Sequence, residues 1–265
     1  MVSNVTMISI VFQGCFVISF VVALFFIMRK RERFSIRAVW VGALVFFVFS
    51  QVLEKILHII VLQGKTEPHG LLANPLLFAV YGALAAGIFE EAGRYFGFRL
   101  LLKHNRKRRD GIAYGLGHGG FEAIFIAGMS SIQTLVYAVM INTDKLERSL
   151  GGKASPGVLA DIKSKLLNAS FYDFLLGGLE RIPALFIQIA LSLIVLYAVR
   201  AKRKIVLVYA ILLHALIDFT PALYQAYPGK ISLWFVEILL LIIGIGAFWL
   251  ISRSRKWQIW SMELN

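Results

Sequence analysis

Among the ionisable residues inside apolar stretches of the chain, seven have the spacing for shared chemistry: Glu90, Glu91 and Arg94, then His118 and Glu122, then His214 and Asp218. Charge in such surroundings is costly, so each is a functional candidate until a structural role accounts for it. His118 and Glu122 are four apart, as are His214 and Asp218, so on helices each pair presents two groups to one neighbour. Glu90 and Glu91 precede Arg94 by four and three residues, so the arginine can neutralise either one. Two imidazoles and several carboxylates facing one cavity can hydrolyse, conduct protons or hold a bundle together. For peptide hydrolysis a carboxylate takes a proton from water, and imidazole or a metal ion stabilises the oxyanion. The adjacent glutamates with Arg94 close by offer a way to keep one ionised as base. The sequence has no recognisable serine-nucleophile motif and no His-Glu-x-x-His pair, which disfavours serine-type and ordinary zincin mechanisms.

These residues need elements that cross a bilayer. The chain has 265 residues, 58% hydrophobic and 16% charged, with a mean hydropathy of +0.75 that excludes an ordinary water-soluble domain. Apolar runs predict seven helices, at about 7–28, 39–62, 75–102, 111–141, 170–199, 205–227 and 231–251. The expected fold is an all-α polytopic membrane helix bundle, residues 1–265 forming one integral-membrane domain with an outer-side loop at about 142–169. That loop has room for a short interfacial helix, a lid or a plain linker. The first run lacks the basic flank and short core of a cleaved signal, so it reads as a retained span. Alternate connections carry seventeen Lys and Arg on one side against seven on the other, placing the N-terminus outside and the C-terminus in the cytoplasm. The net charge of +13 is then explained by topology and anionic lipid, and no nucleic-acid partner is expected. The basic bias and the lack of an organelle-targeting signal suit a bacterial plasma membrane. The single cysteine, Cys15, rules out an intrachain disulfide.

Depth ties the candidates together. With a rise of ~1.5 Å per residue from each cytoplasmic helix end, Glu91 lies ~16 Å in, His118 ~10 Å, Glu122 ~16 Å, His214 ~14 Å and Asp218 ~20 Å. Polar residues of three helices thus converge on one layer. Around His118, Gly115, Gly117, Gly119 and Gly120 suit close helix packing or room for a substrate backbone. A second polar group, Glu54, Lys55 and His58 with Asp173, Glu180 and Arg181, reads as ion pairs near the outer interface, with Pro183 expected to kink the fifth span. Glu237 reads as a snorkelling side chain.

At Glu90-Glu91-Ala92-Gly93-Arg94, Tyr114-Gly115-Leu116-Gly117-His118 and His214-Ala215-Leu216-Ile217-Asp218, the chain resembles the CAAX-protease-like superfamily of intramembrane peptidases, and most closely its YhfC-like branch of intramembrane metalloproteases. The resemblance covers three of the seven spans. It implies that Glu90 or Glu91 activates water, that His118 and His214 bind a metal or the oxyanion, and that Asp218 supports that shell. Glu122 resembles the extra acid of related membrane proteases that release anti-sigma factors. Only Ala92 and Gly93 separate the glutamates from Arg94, where the CAAX enzymes have three residues, which argues against carrying over specificity for prenylated proteins. His118, Glu122, His214 and Asp218 would make an acceptable shell for Zn²⁺, and a metal-free glutamate-and-water mechanism uses the same residues equally well. The implied function is an intramembrane peptidase acting on a membrane-embedded or membrane-associated peptide. The alternatives are a proton-coupled transporter and a non-catalytic peptide-binding scaffold.

Overall fold

The computed structural model describes residues 1–63, 69–152 and 154–261. Every named element among them is helical. In chain order these are α1 (Asn4–Glu32), α2 (Ile36–Val61), α3 (Pro75–Leu101) and α4 (Arg108–Asn142), then the short α5 (Leu146–Leu150) and α6 (Pro156–Asn168). They are followed by α7 (Phe171–Arg200), α8 (Lys204–Ala226) and α9 (Leu233–Lys256). Seven of them, all but α5 and α6, are long and apolar enough to cross a membrane, as the hydrophobic runs predict. The loop expected at 142–169 carries two helices, α5 and α6. Lys65 and Lys153, counted above for the outer side, lie outside the described residues.

The helix starts follow from local chemistry. Asn74 Oδ1 accepts from the amides of Leu76 and Leu77 at 2.9 and 3.3 Å, and Pro75, which has no amide hydrogen to satisfy, opens α3. Ser35 caps α2 and Ser155 caps α6, again ahead of a proline in the latter case. Ser170 and Asp173 form a capping box at the head of α7. That helix is interrupted at Glu180, between Phe171–Leu179 and Arg181–Arg200. Pro183 therefore sits in the first turn of the second segment, beside the break at Glu180 where a kink was expected.

The chain divides into two compact units. Met1–Phe26 and Ala123–Ile182 make the first. Its core gathers Val2, Ile10, Ala138, Ile141, Leu146 and Leu166. The Asn142 carboxamide ties down the chain start, accepting from the Val2 amide at 2.6 Å and donating to the Val2 carbonyl at 3.0 Å.

Ile27–Glu122 and Pro183–Asn265 make the second unit, which holds all seven candidate residues. Helices α3 and α8 pack along much of their length. Gly87 permits this, because a Cβ there would lie 2.7 Å from the Ile211 carbonyl oxygen and 3.1 Å from the Ala215 nitrogen. The glycines of α4 serve the same purpose on two faces. A Cβ at Gly117 would collide with the Val39 backbone of α2, and one at Gly115 would lie 2.5 Å from Ile189 Cα of α7. Of the two uses foreseen for these glycines, close packing is the one that Gly115, Gly117 and Gly119 serve.

Candidate active site

Helix α3 delivers Glu90, Glu91 and Arg94 from consecutive turns, buried at 6%, 0% and 0% exposure. The Arg94 guanidinium is the hub. It donates to Glu91 Oε1, to Glu90 Oε2 at 3.2 Å and to Gln188 Oε1, and it lies 2.9 Å from His118 Nε2. Helix α4 brings His118, fully buried, with Nε2 2.9 Å from Glu90 Oε2. The imidazole is fixed by aromatic neighbours, Phe46 edge-on at 5.1 Å between centroids and Tyr114 stacked at 6.1 Å. One turn along α4, Glu122 Oε2 accepts from Gln188 Nε2 at 2.5 Å.

Helix α8 supplies the other flank. His214 is held between two carboxylates, with Nδ1 2.6 Å from Glu91 Oε1 and Nε2 3.3 Å from Asp218 Oδ2. Its Nε2 is 3.9 Å from Glu90 Oε2. Asp218, with a side chain 37% exposed, is the most open of these groups. Asp218, His214 and Glu91 thus form a chain that fixes one oxygen of Glu91. The other, Oε2, is buried without a hydrogen-bond partner among the described residues, as are His118 Nδ1, Arg94 Nε and Tyr114 Oη. Buried polar atoms left unpaired are rare in proteins and mark places where another group is expected.

All seven residues picked out by spacing and depth join one connected network. Gln188 is the addition: an amide within the apolar run of α7, it links Arg94 to Glu122 and approaches Glu90 Oε2 at 3.4 Å. A search for ionisable groups passes over it, and the available signal is a lone carboxamide deep within an otherwise apolar span. The grouping of donors also differs from the set expected for a metal. Glu90, His118 and Glu122 each offer a ligand atom within 4.8 Å of the others, whereas His214, 3.9 Å from Glu90, pairs with Glu91 and Asp218 and falls outside that mutual grouping. Glu54 departs further from its expected pairing with Lys55. It is buried, its Oε1 lies 3.3 Å from His58 Nε2, and it feels the charge of Lys55 together with those of Glu90 and Asp218. Glu180 and Arg181 do pair with each other.

The trio fits a divalent cation by chemistry and by charge. Two carboxylates and an imidazole are oxygen and nitrogen donors of the kind that bind such ions. The layer holds four carboxylates, Glu90, Glu91, Glu122 and Asp218, against the single guanidinium of Arg94. A dication would offset most of the remaining negative charge, which is expensive to leave unbalanced in a medium of low dielectric.

Seven apolar spans and, within the second unit, a buried layer of carboxylates and imidazoles define a polytopic integral membrane protein with a buried polar site. The chain matches the family model described as YhfC intramembrane metalloprotease over residues 15–240, and it belongs to that family. It is 38% identical over 258 residues to the uncharacterized membrane protein YhfC of Bacillus subtilis (strain 168), an alignment covering 97% of this chain and 100% of that protein. A bacterial plasma membrane fits this relationship. No solved structure matches the chain.

Proposed function

We propose that the protein is an intramembrane metallopeptidase that hydrolyses a peptide bond of a membrane-embedded or membrane-associated polypeptide. The observation that carries this reading is the trio Glu90, His118 and Glu122 lying beside a second glutamate, Glu91, whose Oε2 is unpaired. Family membership and this pairing of donor cluster and base favour hydrolysis over proton-coupled transport or a passive scaffold.

Glu91 is assigned as the base. Its Oε1 is occupied by Arg94 and His214, so Oε2 is the oxygen able to take a proton from water. The water oxygen adds to the scissile carbonyl, the carbon–nitrogen bond breaks, and the proton held by Glu91 passes to the leaving amine. Asp218 and His214 orient the base, and Arg94 pairs with both glutamates. A zinc ion, held by Glu90, His118 and Glu122, would polarise the carbonyl and acidify a bound water. Gln188 positions Glu122 and Arg94 for this work.

The test uses the full chain in lipid nanodiscs with a panel of synthetic transmembrane peptides, products being read by mass spectrometry. Wild type should cut at least one peptide. Glu91→Gln should slow cleavage by about 10²–10⁴-fold, the usual contribution of a general base, while retaining zinc. Cleavage by Glu91→Gln at the wild-type rate would overturn the assignment.

A further inference from the structure

We propose that a cavity of about 430 Å³ bounded by α2, α3 and α8 is the subsite that grips an extended stretch of the polypeptide substrate, a few residues from the bond to be cut. This rests on the peptidase reading above and specifies the form in which the substrate is held. The volume lies in the range of built ligand pockets. Ile59, Leu62 and Phe78 give it apolar walls, and Lys55, His58, Tyr81 and Gln225 place polar groups among them.

Those polar groups decide the occupant. Tyr81 Oη lies 2.7 Å from His58 Nδ1, and His58 Nε2 lies 3.3 Å from the buried Glu54. With Nε2 donating to the carboxylate, Nδ1 accepts the tyrosine proton, and the phenolic oxygen keeps lone pairs for a donor inside the cavity. A lipid acyl chain has nothing to offer these groups and would leave them unsatisfied. A helical peptide has already paired its own amides. An extended polypeptide brings unpaired N–H and C=O groups that need partners of this kind, together with side chains for the apolar wall.

The cavity also stands at a usable distance from the chemistry. Gly82 precedes Glu91 by nine residues on α3, a rise of ~13 Å, and Ala222 follows Asp218 by one turn of α8, ~6 Å. An extended chain rises ~3.3 Å per residue, so it covers these distances in about two to four residues. Helix α2 contributes a π-helical stretch, Phe47–Glu54, that ends at the carboxylate holding His58. Such departures from regular helix recur at functional sites.

Gly82 makes the proposal testable, because it lines the cavity and a Cβ there meets nothing within 4 Å, so Gly82→Leu adds bulk at the cavity wall. The probe is a Leu/Ala peptide of about 20 residues with a central Gly-Pro break and diazirine-leucine at successive positions. It is cross-linked to the full chain in nanodiscs of phosphatidylethanolamine and phosphatidylglycerol. Diazirines two to four residues from the break should label Ile59 or Phe78. Gly82→Leu should reduce that labelling by about tenfold or more while unfolding at the wild-type temperature, and Tyr81→Phe should reduce it severalfold. Peptide labelling unaffected by Gly82→Leu would overturn the proposal. So would labelling of Phe78 by a photoreactive phosphatidylglycerol that saturating peptide does not displace. The Glu91→Gln variant separates this idea from the peptidase reading, since it should still be labelled. Labelling of the cavity with no cleavage by wild type would support the peptide subsite and sink the peptidase. Cleavage by wild type with the cavity unlabelled would do the reverse.

Discussion

Arg94 touches both glutamates, His118 and Gln188 while being wholly buried. Removing it leaves carboxylates in low dielectric without their partner, a change that costs about 3–5 kcal/mol for buried pairs. Arg94→Ala should therefore lower thermal stability in detergent sharply. Arg94→Lys should recover only part of it, because a single ammonium cannot reproduce the fork that serves several acceptors at once. The proposed zinc site gives a second handle on the same layer. A ligand at about 1,000 times its dissociation constant stabilises the folded state by about 4 kcal/mol. Added zinc should thus raise the unfolding midpoint of chelator-treated wild type and leave His118→Ala unmoved. Equal shifts in both proteins would remove His118 from the ligand set. Gln188→Leu should weaken zinc binding by about 10–100-fold, the usual cost of losing a group that orients a ligand, read by competition with a chromophoric chelator.

At the scale of elements, close approach of helices is what brings these groups within reach of one another. Gly117→Leu would drive a side chain into the Val39 backbone and should destabilise by at least about 2 kcal/mol, whereas Asn74→Ala should cost about 1 kcal/mol through loss of the α3 cap. Equilibrium unfolding in mixed micelles measures both. The helices themselves were legible in the sequence because runs of some twenty apolar residues have few other readings, and the observed spans begin and end within a few residues of the expected ones. The candidate residues could be picked out because charge inside such runs is conspicuous. Gln188 was not conspicuous, being uncharged, and its importance lies in two hydrogen bonds to other helices that spacing along α7 cannot reveal. The grouping of Glu90 with His118 and Glu122, and of His214 with Asp218 and Glu91, was equally hidden. Helical periodicity tells which residues share a face and says nothing of how two faces are turned toward each other. The interruption of α7 at Glu180 was legible on a smaller scale, since Pro183 marks where a helix is broken or begun anew.

For the whole molecule, the basic residues used to infer topology also have structural work. Arg108 donates to Glu32 at 2.9 Å, to Ser254 Oγ at 2.7 Å and to the Ile251 carbonyl at 2.9 Å, and Arg255 donates to Glu32 at 3.0 Å. Arg200 donates to the carbonyls of Ile259 and Arg106. These contacts satisfy main-chain carbonyls, and in the expected orientation they would set positive charge against a negatively charged leaflet. The expected orientation is tested by single cysteines introduced on a Cys15→Ser background. Asp144→Cys should react with a membrane-impermeant maleimide in intact cells, and Lys202→Cys only after permeabilisation; the opposite pattern would invert the topology. The polar layer takes its members from α3, α4, α7 and α8, so no early stretch of the chain contains it. During synthesis the first three spans can enter the bilayer carrying Glu90 and Glu91, yet His214, the proposed orienting group, arrives only with α8. On the peptidase reading a chain halted before that helix is inserted would be chemically silent, so a membrane crowded with half-made copies would be spared unregulated cutting.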